Sequence, residues 1–156
     1  MSTIWRAILL SFSACLSATR AEAECDALSR LRRSADVHFR DIRGTKKDPD
    51  FSWYTVTYSM DGGHCELDGS ESEPTSRYRC RWYVSQDEEL AKSAYSEMLT
   101  STKACIKNAP NPPRQRDRGE STEIDDSFRR RVYVTYGFES RWWYVEFEYE
   151  SSYRDY

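Results

Sequence analysis

Near the end of the chain two stretches, Ser127 to Glu139 and Arg141 to Ser151, alternate apolar and polar residues almost without a break. The first sets Phe128, Val132, Val134, Tyr136 and Phe138 against Arg129, Arg131, Tyr133 and Thr135. The second sets Trp143, Val145, Phe147 and Tyr149 against Trp142, Tyr144, Glu146, Glu148 and Glu150. A period of two marks a strand buried on one side, and two such runs back to back commit the chain to an antiparallel hairpin. A turn at Glu139 and Ser140 would place Arg131 opposite Glu148, Arg129 opposite Glu150 and Tyr133 opposite Glu146. It would also bring Val134 against Val145 and Tyr136 against Trp143, so apolar pairs meet inside and opposite charges meet outside.

The rest of the chain reads as partners for that hairpin. From Glu24 to Arg43, Cys25, Leu28, Leu31, Ala35, Phe39 and Ile42 recur at spacings of three and four, which predicts a helix with Gly44 as its left-handed cap. Phe51 to Met60 predicts a strand with Tyr54, Val56, Tyr58 and Met60 on one face. After the turn Asp61-Gly62-Gly63 comes a short strand, His64 to Asp68. In Arg77 to Val84, Tyr78, Cys80, Trp82 and Val84 alternate with Arg77, Arg79, Arg81 and Tyr83. Ser85 and Glu88 form a capping box for a second helix, with Leu90, Ala94, Met98, Thr102 and Cys105 as its buried stripe down to Ile106. Residues 107–126 are rich in Pro, Arg, Asp, Glu, Ser and Thr and predict a long polar loop of the kind that is mobile or functional. The expected fold is α+β, in the order α-β-β-β-α-β-β: a single antiparallel five-stranded sheet with two helices packed on one face. No internal repeat stands out beyond a loose echo of helix followed by strands. The element order resembles that of the small secretion-chaperone-like folds, a likeness of topology that implies no activity.

At 156 residues the chain is expected to form one domain. Arg6, the apolar run Ala7 to Leu16 and Ala21-Glu22-Ala23 follow the order of a secretory signal peptide over residues 1–23. A domain of 24–156 would then be secreted or periplasmic after cleavage near Ala23. Phe12-Ser13-Ala14-Cys15 approximates a lipoprotein box but carries Phe where such boxes carry Leu. The apolar run falls short of the roughly 20 residues that span a bilayer, so no membrane span is expected. Cleavage removes Arg6, Arg20 and Glu22, which takes the 23 basic residues down by two and the 26 acidic ones by one, leaving a net charge near −4. That balance excludes a general nucleic-acid binder, which needs a basic excess. Cys25, Cys65, Cys80 and Cys105 remain, without a CxxC spacing, and in an exported chain read as two disulfides. With the first helix running against the first strand, the preferred pairs are Cys25 with Cys65 and Cys80 with Cys105. Cys65 with Cys80 stays open, and Cys25 with Cys105 would be out of reach.

Little in the sequence points to catalysis. Beyond the leader, His38 and His64 are the two imidazoles, and no serine sits in a nucleophile elbow. Asp61, His64, Glu66 and Asp68 match neither a calcium loop nor a zinc site, and the six glycines form no phosphate cradle, so neither a metal nor a cofactor is expected. Glu146, Glu148 and Glu150 read as a charge ladder against arginines rather than as a glycosidase pair. The outward face of the sheet is the informative feature. Trp53, Arg79, Arg81, Tyr83, Arg131, Tyr133, Trp142 and Tyr144 fall there, and Trp, Tyr and Arg are the residues enriched at interface hot spots. Aromatic residues also suit strands for their own sake, and arginines stack on them. The expected function is an exported protein-binding module of the inhibitor or immunity type with an unidentified protein partner. In strategy it is similar to secreted β-lactamase-inhibiting proteins, with aromatic residues on a disulfide-braced sheet. The alternatives are a carbohydrate or cell-wall binder using Trp53 and Trp142 as stacking platforms, and an enzyme with no recognisable motif.

Overall fold

The computed structural model describes residues 25–47, 52–60, 62–69, 74–108, 110–116 and 118–153. The expected signal segment, and Phe51 and Asp61 within the first expected strand and turn, lie outside them. Helix α1 covers 25–36 and α2 covers Glu88–Cys105. Seven strands of four residues or more, β1 (Arg43–Lys46), β2 (Trp53–Val56), β3 (His64–Asp68), β4 (Thr75–Ser85), β6 (Gly119–Ser127), β7 (Arg130–Glu139) and β8 (Trp142–Ser152), join the three-residue β5 (Arg114–Arg116) in one antiparallel sheet.

The expected five-stranded sheet is therefore too small. β1 is only four residues long, and β5 and β6 occupy the segment 107–126 that reads as a loop. β6 hides because its inward positions Glu120 and Thr122 are polar. Both are satisfied by the hydroxyl of Tyr95 on α2, at 2.9 and 2.6 Å, so burial costs them no hydrogen bond. Only Ile124 marks the inner face with an apolar side chain.

The strand order is β1-β2-β3-β4-β8-β7-β6-β5. Each half of the chain is thus a helix followed by a four-stranded meander, and the halves meet along the long β4–β8 ladder. The loose echo in the sequence is the architecture of the molecule.

The hairpin keeps the expected faces but not the expected partners. Its turn falls at Ser140 and Arg141, both left-handed with φ of 51° and 75°, as a two-residue hairpin turn requires. Moving the turn by one residue shifts every pair by two. Arg131 faces Glu150, Tyr133 faces Glu148, Val134 faces Phe147 and Tyr136 faces Val145. Phe128 and Arg129 lie in the preceding turn, where Phe128 is 83% exposed rather than on the inner face.

Two helix boundaries also differ. α1 stops at 36 because His38 and Phe39 turn left-handed (φ 54° and 55°), and Gly44 belongs to β1, where a Cβ would run into Thr55. α2 is capped by Asp87, whose Oδ1 accepts from the Glu89 N–H at 2.9 Å, while Ser85 Oγ accepts from the Asp87 N–H. Its buried face carries Ala91, Tyr95 and Thr102, and Leu90 is 55% exposed, because the Tyr95 ring packs on Tyr136 at 5.2 Å.

The core lies between the helices and one face of the sheet, from Leu28, Leu31, Phe39 and Ile42 to Leu67, Tyr78, Val132, Val134, Val145 and Tyr149. Arg32 on α1 donates from Nε to Asp126 at 2.9 and 3.0 Å, and the Tyr149 hydroxyl reaches the same carboxylate at 2.7 Å, which pins α1 to the end of the sheet. The disulfides are Cys25–Cys105 and Cys65–Cys80, with Cα–Cα distances of 5.2 and 4.1 Å. Both differ from the preferred pairing. The unforeseen β1 is the reason: one extra antiparallel strand after α1 reverses its direction relative to β2, which carries Cys25 to the end of the molecule where α2 finishes. Two disulfides fit an oxidising compartment. No helix of the described residues is long and apolar enough to cross a membrane.

Candidate functional site

The outer face of the sheet is organised in rows that cross the strands. One row reads Trp53, Asp68, Arg77, Glu150, Arg131, Asp125. The next reads Thr55, Glu66, Arg79, Glu148, Tyr133, Glu123, and the third His64, Arg81, Glu146, Thr135, Ser121. Charge changes sign from β3 to β4 to β8 in the first two rows, because β4 presents Arg77 and Arg79 between Asp68 and Glu66 of β3 and Glu150 and Glu148 of β8; in the third row Arg81 faces Glu146 on one side and His64 on the other. The contacts follow: Arg77 Nε to Glu150 at 2.9 Å, Arg79 Nη2 to Glu148 at 2.8 Å and Arg81 Nη2 to Glu146 at 2.6 Å.

The expected ladder between Arg129, Arg131 and the β8 glutamates is thus mostly taken over by Arg77, Arg79 and Arg81 of β4. Arg131 keeps a looser place at 3.6 Å from Glu123 and 3.9 Å from Glu150 and is half exposed. Burial raises the Glu148 pKa above the usual carboxylate range, against the pull of Arg79. Burial also disfavours the charge on Arg79 and Arg81, yet Glu148 and Glu146 more than offset it and hold both above the ordinary arginine value.

Above these rows, toward the β7–β8 turn, the surface changes character. Tyr83 and Tyr144 meet edge to face at 6.5 Å, His64 lies 6.3 Å from Tyr83, and the Arg81 guanidinium stands 4.2 Å from the Tyr144 ring centre. Arg81 also pairs with Glu139, which faces Trp142 across the hairpin. Tyr83 and Trp142 remain 47% and 44% exposed although they stand on strands of the sheet centre.

Of the expected site residues, the fold therefore gathers Arg81, Tyr83, Trp142 and Tyr144 at one end and sets Arg79 in the charge rows below, with Arg131 and Tyr133 in those rows on β7, two strands from Arg79. Trp53 sits on β2 with Arg79 5.3 Å over its ring. By strand geometry it is roughly 30 Å from Trp142, too far for one sugar ring to touch both. His64 and Glu139 belong to the aromatic end and were not singled out from the sequence as part of it. The matching triplets Arg77, Arg79, Arg81 and Glu146, Glu148, Glu150 were the signal that β4 and β8 are neighbours, and that pairing brings Tyr83 to Tyr144. Among the described residues no group of three or more His, Cys, Asp or Glu could hold a metal ion.

Gly137 gives the aromatic end its shape. A Cβ there would come within 2.6 Å of the Tyr144 hydroxyl and 2.7 Å of its ring, so Tyr144 lies across β7 in a space only glycine leaves open. Gly137→Ala is expected to push Tyr144 off β7 and out from under Arg81, costing about 1 to 3 kcal/mol as overpacking does. Urea unfolding and the tyrosine ring signals in NMR would show it, and an unchanged Tyr144 environment would refute the packing. No family model, curated protein or solved structure matches the chain.

Proposed function

We propose that the chain is an exported protein-binding module of the inhibitor or immunity type, whose contact surface is the aromatic end of the outer sheet face: Tyr83, Trp142, Tyr144, His64 and Arg81. The observation that carries this reading is the exposure of Tyr83 and Trp142 on the adjacent central strands β4 and β8, on either side of Tyr144 and beside a floor whose charges already neutralise one another. A partner docking there buries rigid aromatic area without stripping water from an unpaired charge, which is the arrangement of an interface hot spot. The leader over 1–23 and the two disulfides support export, and the exported protein is expected to begin at Glu24 by N-terminal sequencing.

Photo-crosslinking in the extracellular or periplasmic fraction tests the surface. Tyr83→Ala/Trp142→Ala is expected to lower partner recovery at least about 30-fold, while Phe128→Ala, which alters an exposed aromatic at the opposite end, leaves it intact. Because the surrounding charges are paired among themselves, recovery should persist in concentrated salt. If the double variant recovers the same protein as well as the native chain, the face is not the site. If it instead loses binding to glycan fragments, read by tryptophan fluorescence, the ligand is a carbohydrate.

A further inference from the structure

On the other side of the sheet, between α1, α2 and the inner ends of β4 and β8, lies a cavity of about 570 Å³. Leu28, Met60, Trp82, Met98, Val145 and Phe147 give it a mainly apolar wall, with Ser59, Glu97 and Thr102 as polar members. Its size falls within the roughly 300 to 1,000 Å³ of small-molecule sites. The two helices that flank it are cross-linked by Cys25–Cys105, and Cys105 is itself part of the lining.

One charged group stands at its edge without a carboxylate. The Arg30 guanidinium lies 4.1 Å from the ring centre of Tyr58, which lines the cavity. The neighbouring arginines at this side of the fold are committed, Arg32 to Asp126 and Arg130 to Asp36, whereas among the described residues no carboxylate pairs with Arg30. Glu97, on the α2 wall, has a partner of its own. Burial raises the Tyr58 pKa against the pull of Arg30, so its hydroxyl stays protonated. The Ser59 hydroxyl is occupied by the Gly63 carbonyl at 3.0 Å.

We infer that the cavity binds a long-chain carboxylate, its hydrocarbon tail between Trp82, Met98, Val145 and Phe147 and its carboxylate on Arg30. The chemistry is complementary at both ends: apolar wall for the tail, and a cation stacked on an aromatic ring, hence partly desolvated, for the head. The site is on the opposite side of the sheet from the aromatic end and does not depend on the protein-binding reading.

The test titrates laurate and dodecanol, two ligands of one tail length with and without the charge, into the exported protein while following tryptophan emission and binding heat. Laurate is expected to bind once per chain, more tightly than dodecanol. Arg30→Gln should weaken laurate about tenfold and leave dodecanol unchanged. Ala94→Phe, which fills the cavity, should abolish both, with far-UV circular dichroism and non-reducing peptide maps showing an intact fold. Arg30 is exposed, so its variant decides the question even if Ala94→Phe does not fold. Equal affinity for the two ligands, unchanged laurate binding in Arg30→Gln, or binding to phosphatidylglycerol vesicles without binding to laurate would each overturn the inference.

Discussion

Replacing Cys25 and Cys105 together by serine is expected to lower the unfolding free energy by about 4 to 5 kcal/mol, against about 3 kcal/mol for Cys65 and Cys80. The two bridges close loops of very different length, with sequence separations of 80 and 15. In the chain-entropy account the longer loop takes more freedom from the unfolded chain, and the loop lengths alone give these figures. The native contacts push the same way. Cys25–Cys105 ties α1 to the end of α2, while Cys65 and Cys80 already face each other in the β3–β4 ladder and stay close without a covalent link. Since a domain of this size has a total stability of about 5 to 15 kcal/mol, the long-range pair should account for roughly a quarter of it or more. Urea unfolding of the two double variants, with the slope checked for change in the unfolded state, measures both. A larger loss from Cys65→Ser/Cys80→Ser would mean that the fold depends on local bracing of the meander and not on joining its halves.

That same bridge shows where reading the sequence succeeds and where it stops. Alternation identified the inner faces of β4, β7 and β8 correctly, since each carries large apolar side chains at every second position and a register error of two leaves the faces unchanged. The register itself depended on the turn, and Ser140 and Arg141 carry no glycine or asparagine to announce the left-handed backbone they adopt. β6 could not be seen at all, because Glu120 and Thr122 point inward to meet Tyr95, a contact between residues far apart in the chain. β1 is too short for any period to show. Missing one short strand then reversed the inferred direction of α1 and with it the cysteine pairing. The candidate site fared similarly: the aromatic and arginine positions were legible on their strands, but their grouping required the β4–β8 pairing, which joins the two halves of the chain.

The charge rows beneath the aromatic end make the second large prediction. Arg79 lies 2.8 Å from Glu148, 3.6 Å from Glu146 and 4.0 Å from Glu66, and the first two carboxylates are only 15% and 10% exposed. Arg79→Met removes the shared cation and leaves partly buried carboxylates facing one another, so the loss at neutral pH is expected to be about 3 kcal/mol. The dependence on pH follows from Glu148. Burial already holds its folded pKa above the ordinary glutamate value, and losing Arg79 raises it further. A carboxylate whose pKa is higher folded than unfolded contributes stability that is fully present below its unfolded value and is lost as pH rises through its folded value. The deficit of Arg79→Met should therefore be largest at neutral pH and shrink as the solution is acidified toward about pH 4.5. A deficit that stays constant over this range would show that Arg79 acts through packing on Trp53 and not through charge. Arg79→Met/Glu148→Met separates the two further: removing both partners should recover much of the loss, because two apolar side chains satisfy each other where one abandoned charge cannot. Partner recovery by the double variant should match the native chain wherever it is folded. The rows hold β4 against β8, and in the proposed function the partner contact falls to the aromatic rings of Tyr83 and Trp142 rather than to these charges.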